Sequence, residues 1–567
     1  EEILERYLNT VYLGNGAYGV QAGAETYFGI EASQLDAAQS AFLAGLIGSP
    51  AAFDPIRQPE ASRARRDVAL SRMVEAGHLD PERARVLEEV PIPASVNRAV
   101  AAPDSYFVEE VKQLLLDDPR LGETREQREQ ATFRGGLQIF TTLDPTAQRF
   151  AEQSRDDVLA EVSPPGTPSG TTPLARSRRT GAERHATAAV VSVEPGTGAV
   201  RAMVGGPGFA DAKTNIVTGR GTNGVGRSGG STFKIFVLTA LLENGYVPVD
   251  TVDGSGPCAF SDIPGLVPDP YPVQNFDNSV GGIGTLTEQT LRSSNCAFVR
   301  LGQVVGIDEV IDQARKMGIT TAMQEVASLP LGTEEVLPID MAGAMASLAA
   351  DGLHAEPYLI DRVADRDGKT IFSHERTVRR AQSAKTARLV TEVLEANVRS
   401  GTGTRARIPG QHAAGKTGTG MESSDAWFVG ATPYLATAVW LGSPTDNEPV
   451  VIRGSGITGG NYPAEIWGRF MRSWHEGKAE RAFLNPGATR AGRFLTLPGN
   501  VDVGGTTTSS TLFPGQPPDF SLPPDFTWPS NYTFPTSSPR PSSPRPSSPP
   551  PTRDPDDRFG PGFPFDD

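Results

Sequence analysis

The chain has 567 residues, enough for two to four domains around a large core, and its formal charge of −15 argues against nucleic acid as a partner. No run reaches the roughly 20 apolar residues of a membrane span, and two cysteines are too few for a disulfide scaffold. The first residues, "EEILERYLNTVYLG", lack a start Met and read as the middle of a domain, so the chain is expected to be a fragment with any anchor upstream.

In chain order, residues 1–92 read as all-helical: Ile3, Leu4, Tyr7, Leu8 and Val11 recur at helical spacing, and "LDAAQSAFLAGLIGSP" continues the pattern. Residues 93–186 read as a linker module that ends in the Pro, Gly, Ser and Thr-rich "SPPGTPSGTTPLARSRRTGAER". Residues 187–480 open on a strand, turn and strand, "AAVVSVEPGTGAVRAMVGG", then mix helical and strand patterns as far as "PAEIWGRFMRSWHEG". Residues 481–567 form a C-terminal extension, expected to be disordered from about residue 514, where about a third of the 48 prolines crowd together.

Three short matches point elsewhere and fail on context. "GNGAYG", Gly14 to Gly19, fits a dinucleotide fingerprint but follows a helical pattern where a strand is required. "GRSGG", Gly226 to Gly230, fits a nucleophile elbow around Ser228, yet no buried strand precedes it. "GQHAAGKT", Gly410 to Thr417, satisfies the P-loop expression and would bind a nucleotide, but the flanks read as strand, tight turn and strand.

The chemistry gathers elsewhere. With 8 Lys against 44 Arg, a lysine at the mouth of an apolar helix stands out, because Arg cannot lose its proton whereas a buried Lys can act as a base. In "STFK" Ser231 and Lys234 lie one turn apart, so the amine is expected to reach the hydroxyl. Downstream, "SSN" offers Ser293 and Asn295, and "AAGKTGTG" reads as an edge strand carrying Lys416, Thr417, Gly418 and Thr419. Each has a plainer reading: Ser231 as a helix N-cap, Ser293 and Asn295 as a turn, Lys416 as a solvated edge lysine. Ser95 and Asn97 repeat the Ser-x-Asn spacing upstream, so specificity rests on the order of the three motifs. The six histidines show no metal spacing, and neither a metal nor an organic cofactor is expected.

The set "STFK", "SSN" and "KTGTG", in that order, resembles the penicillin-binding proteins and the serine β-lactamases related to them. "EEILERYLNTVYLGNGAYGVQAGAETYFG" and "RRDVALSRM" resemble late motifs of the family 51 peptidoglycan glycosyltransferases, and class A penicillin-binding proteins join both domains. The resemblance implies a multidomain fold. A lysozyme-like α-helical transferase remnant precedes an α/β serine β-lactamase/DD-peptidase-like domain, an antiparallel sheet flanked by helices; the disordered Pro-rich tail comes last. It implies a serine DD-transpeptidase or carboxypeptidase acting on peptidoglycan stem peptides at the extracytoplasmic face of a bacterial membrane. β-Lactams are then covalent inhibitors, lipid-linked precursor is a substrate of the longer protein, and cell-wall synthesis proteins are partners for the tail. Ser231 is implied as nucleophile, Lys234 as its base, Ser293 as proton relay, Asn295 as holder of the substrate amide, and Lys416, Thr417, Gly418 and Thr419 as the carboxylate and oxyanion side. The glutamate motifs of the transferase do not occur in this sequence; Glu2 and Glu5 read as first-turn helix residues. A β-lactam-hydrolysing or β-lactam-sensing protein would share the three motifs, but the first needs a water-activating carboxylate, and the second membrane spans and an output domain.

Cys296 directly follows Asn295, and Cys258 lies in the Gly and Pro-rich, loop-like "DGSGPCAFSDIPG". Separate buried thiols are the plain reading; the even count and the implied compartment favour a bridge that fixes the loop beside the groove.

Overall fold

Alternation along the strands decides the architecture. The computed structural model describes residues 2–15, 17–50, 52–95, 105–221, 226–260 and 271–497, so the Pro-rich tail expected from residue 514 lies outside the described residues. Its main sheet is antiparallel, in the order Ala414–Thr419, Asp425–Ala431, Ala436–Gly442, Arg184–Val193; Val200–Val204 pairs with the last of these and Thr172–Leu174 extends it. Ala189, Val191 and Val193, with Trp427, Val429, Ala438 and Trp440, enter one core, whereas Ala188, Val190, Phe428, Val439 and Leu441 enter a second. Successive side chains point to opposite faces, so both faces of the sheet are apolar and both must be covered. Helices Lys234–Glu243, Pro338–Ala349 and Ala384–Ser400 belong to the first core, and Pro145–Val162 and Tyr462–His475 to the second.

Helix Lys234–Glu243 is apolar all round, and every residue but Glu243 is buried, as expected of a helix enclosed by its neighbours. Lys234 is the first residue of that helix, so its amine starts from a place where water is scarce.

Parts of the stretch expected to be a linker module are packed structure. Helix Tyr106–Asp117 sends Phe107, Val111 and Leu115 into the first core, and strand Gln138–Thr141 pairs with Ile360–Ala364. Asp144 caps the helix that starts at Pro145, accepting from Thr146 N at 2.9 Å, and Ala147, Ala151, Val158 and Leu159 line its buried side. The apolar positions recur at helical spacing, a signal that the loop-forming residues after it obscured.

The N-terminal region is helical as its periodicity predicts: Glu2–Thr10, Val20–Phe28, Ala37–Leu46, Pro59–Glu75 and Pro81–Glu88. Leu13, Tyr27, Phe42, Leu43 and Leu46 form a core of their own. Glu2 and Glu5 lie in the first turn of the first helix, and the Gly14–Gly19 stretch joins two helices instead of following a strand. Among the described residues no helix is long and apolar enough to cross a membrane.

Candidate active site

The turn that carries Ser231 is wedged between two backbones. Gly230 to Phe233 is a 3-10 turn that runs straight into helix Lys234–Glu243, and residues three apart eclipse in such a turn, which stacks Lys234 over Ser231. Gly230 has φ +51°, and a Cβ there would lie 2.5 Å from Thr419 O and 2.9 Å from Thr419 N. Gly332, at φ +75°, approaches from the other side: its amide oxygen accepts from Gly230 N at 2.9 Å, and a Cβ on it would lie 1.9 Å from Gly230 O. Only glycine satisfies both demands, positive φ and no side chain. Ser228, the alternative elbow serine, is tied down by donating to Gly332 O at 3.0 Å, while its carbonyl accepts from Trp427 Nε1 at 2.7 Å.

Ser293 and Asn295 occupy the joint between two helices. Thr285 and Glu288 form a capping box that starts Leu286–Arg292; Ser293 ends that helix at φ +54°, and Ser294 caps Asn295–Val305 by accepting from Ala297 N at 3.2 Å. The Thr-x-x-Glu spacing is a legible helix start. The role of Ser294 was not read from the sequence, although Ser before an apolar helix is the ordinary cap.

Two lysines converge on this joint. Lys234 Nζ donates to Ser293 O at 2.6 Å and to Asn295 Oδ1 at 2.8 Å, with Ser293 Oγ at 3.4 Å. Lys416, at the edge of the sheet, donates to Ser293 Oγ at 2.8 Å and to Thr417 O at 2.9 Å. Burial pushes Lys234 well below the ordinary lysine value, and the charge of Lys416 pushes it further; burial alone brings Lys416 down to about 7. The expected Lys234–Ser231 hydrogen bond is not made. The amine is satisfied by the two acceptors of the joint, and the half-buried Ser231 hydroxyl has no hydrogen-bond partner among the described residues.

The rest of the strand is anchored. Thr417 Oγ1 shares a hydrogen with Thr402 Oγ1 at 2.7 Å, and Asn397 holds the strand through Gly415 O at 2.8 Å. Gly418 packs on the Ser231 turn, where a Cβ would meet Gly229 O at 2.7 Å. Thr419 Oγ1 accepts from Gly459 N at 3.3 Å, which leaves its own O–H free to donate. Lys416 lies within an antiparallel strand followed by another strand, so the P-loop expression is met in letters only.

Cys258 and Cys296 are bridged, with Cα atoms 6.1 Å apart. The expected loop around Cys258 is a two-stranded ribbon, Cys258–Phe260 against Tyr271–Val273, and its inner residues pack with Cys296 and Val299. Burial of Cys258 and Phe260, both 0% exposed, overrides the loop-forming Gly and Pro beside them.

Residues 188–456 match the penicillin binding protein transpeptidase domain, and residues 1–74 match the transglycosylase family. Penicillin-binding protein 1A of Mycobacterium tuberculosis is 31% identical over 530 residues, covering 88% of this chain and 59% of that protein. Penicillin-binding protein 1A of Aquifex aeolicus is 27% identical over 535 residues, covering 83% and 70%. The crystal structure of penicillin-binding protein 1A from Haemophilus influenzae shares the fold, with a TM-score of 0.68 at 23% identity over 86% of this chain and 87% of that one. The PonA1 protein from Mycobacterium tuberculosis in complex with penicillin V superposes with a TM-score of 0.55 at 27% identity, over 70% of this chain and 97% of that one. The chain belongs to the penicillin-binding proteins. Because it carries both matches, it falls in their class A branch, which joins a transglycosylase to a transpeptidase.

Proposed function

We propose that this chain crosslinks peptidoglycan as a serine D-Ala-D-Ala transpeptidase, with Ser231 as nucleophile. The observation that carries the reading is the pair of buried amines meeting at Ser293. A neutral lysine amine has two N–H groups and one lone pair; Ser293 O and Asn295 Oδ1 can only accept, so they take both N–H groups and leave the lone pair free. In the proposed cycle Ser231 Oγ attacks the carbonyl between the two terminal D-alanines and its proton passes to Lys234. The backbone N–H groups of Ser231 and Thr419 serve the oxyanion, at about 3 to 4 kcal/mol per donor by analogy with other acyl-transfer sites. The C–N bond then breaks, and the departing D-alanine amine takes a proton through Ser293, whose oxygen already accepts from Lys416 and whose O–H is free to donate. Lys416, with the hydroxyls of Thr417 and Thr419, faces the stem carboxylate. An amine of a second stem attacks the ester and gives up a proton to Lys234, the ester C–O bond breaks, and Lys234 passes that proton to Ser231; water in place of that amine gives carboxypeptidase activity.

β-Lactams mimic the acyl donor and are proposed as covalent inhibitors. The site belongs at the extracytoplasmic face of the membrane, where the stems are. Glycan polymerisation from lipid-linked precursor is proposed only for a longer chain that also carries the transferase glutamates. The domain bound at 92 is part of the same proposal, as is binding of cell-wall synthesis proteins by the tail. The test is labelled penicillin followed by peptide mapping: a single adduct on Ser231 is expected. An adduct on another residue, or none with folded protein, removes the reading.

A further inference from the structure

The wall opposite Ser231 is held by a residue that none of the three motifs contains. Asn275 is 5% exposed, and its carboxamide makes five hydrogen bonds. Its Oδ1 accepts from Asn295 N at 2.8 Å, Ser294 Oγ at 3.1 Å and Cys296 N at 3.2 Å. Its Nδ2 donates to Gly254 O at 2.9 Å and Ser279 O at 3.2 Å. The next residue back completes the grip, since Gln274 O accepts from Asn295 Nδ2 at 2.8 Å. Two glycines close on the same carboxamide: a Cβ on Gly256 would lie 2.8 Å from Nδ2, and one on Gly281 2.9 Å from it. One buried amide thus ties together the 254–256 segment, the 279–281 turn and the Ser293–Asn295 joint.

We propose that Asn275 is a positioning residue for acylation: by fixing the first N–H groups of helix Asn295–Val305, it aims Asn295 Oδ1 and Ser293 O at the Lys234 amine. The inference rests on the reading of Ser231 and Lys234 given above, and it adds a residue to that site. Asn295 Nδ2 is spent on Gln274 O, and Asn295 Oδ1 is then turned toward Lys234 and nowhere else. If the carboxamide is removed, two backbone N–H groups at the start of a helix lose their acceptor at once, and Ser294 Oγ is left with Gly254 O at 3.3 Å. The joint can then relax, and the lone pair of Lys234 is no longer directed. The charged group facing Lys234 across the joint is Lys416, which a change at residue 275 leaves in place.

The experiment compares saturable acylation by a labelled β-lactam in the wild type, Asn275→Ala and Val273→Ala. Val273 lies in the core beneath the same wall and touches the disulfide, so its truncation weakens the wall without touching the carboxamide. In Asn275→Ala the limiting acylation rate is expected to fall at least tenfold with the half-saturating concentration changed less than threefold; Val273→Ala should lower the melting temperature while acylating near the wild-type rate. Equal acylation by Asn275→Ala and wild type overturns the proposal, and so does an equal slowing by Val273→Ala, which would mean that wall stability alone is at work. Should Asn275→Ala not fold, the near-isosteric Asn275→Leu serves: it offers no acceptor to Asn295 N and Cys296 N and should acylate at least tenfold more slowly, and a wild-type rate there overturns the proposal equally. A wild type that takes no drug at Ser231 removes the underlying reading, whereas a wild type labelled at Ser231 with an unimpaired Asn275→Ala removes this inference alone.

Discussion

Lys234 and Lys416 are 1% and 0% exposed, in a chain that meets nearly every other need for positive charge with arginine. The difference is chemical: a guanidinium stays charged, whereas a desolvated amine can be neutral. Lys234→Arg should therefore bind drug and acylate at least about 100-fold more slowly, the usual contribution of a general base. Rapid-quench labelling checks this, and near-normal acylation by the variant would show that charge alone is needed. The same amines set a pH dependence. Lowering the pH protonates Lys234, which burial and the charge of Lys416 already hold well below its ordinary value, and removes its lone pair. The acylation rate should therefore fall as pH is lowered across the range in which the protein stays folded. A rate that stays flat to the onset of acid unfolding contradicts the assignment.

The site is assembled where elements touch through bare backbone. The strand Ala414–Thr419, the turn of Ser231 and the 332–336 loop approach closely enough that glycine is required at Gly230, Gly332 and Gly418. Gly418→Ala should push the strand away from Ser231, because its Cβ would lie 2.7 Å from Gly229 O and 2.8 Å from Thr232 Cγ2. Overpacking of this kind costs about 1 to 3 kcal/mol in stability. The larger effect falls on acylation, where a loss of tenfold or more is expected because the Thr419 N–H moves with the strand. Urea titration and labelled-drug kinetics on the same preparation separate the two effects. A variant that loses stability but acylates normally would show the contact to be mere packing.

Long-range ties hold the wall that carries Ser293 and Asn295. The Cys258–Cys296 bridge closes a separation of 38 residues, and replacing both cysteines by Ser should cost about 3 to 4 kcal/mol by the chain-entropy estimate. A second tie comes from the far end of the described chain: Arg490 and Arg493 N bind Asp250, whose side chain is fully buried, and residues 493 and 495 bond the backbone of Thr251. Asp250 in turn precedes helix Leu286–Arg292 in space, since its carbonyl accepts from Leu286 N at 2.8 Å. Burial pushes the Asp250 carboxyl up, but its hydrogen bonds to Arg490, Val247 N and Arg493 N more than offset that and hold it below the ordinary 3.8. Its contribution to stability is thus complete above 3.8 and is lost as pH falls through the lower folded value. Urea midpoints measured from pH 5 downward should therefore drop more steeply in the wild type than in Asp250→Asn; equal slopes would rule this tie out as a source of acid sensitivity. The sequence by itself determined the order of the three motifs, the helical start, the strand pair that opens the sheet and the rejection of the P-loop, because those depend on neighbours in the chain and on period. It also suggested the disulfide, from the even count of cysteines. Only the tertiary structure decided that Lys234 leans on Ser293 and Asn295 and not on Ser231, that Asn275 pins the joint, and that residues 490–495 return to Asp250. Each of these joins groups from 19 to 243 positions apart, as with Asn275 to Ser294 and Asp250 to Arg493. Local spacing cannot encode such a choice: a buried polar group takes whichever partner the packed core brings within reach.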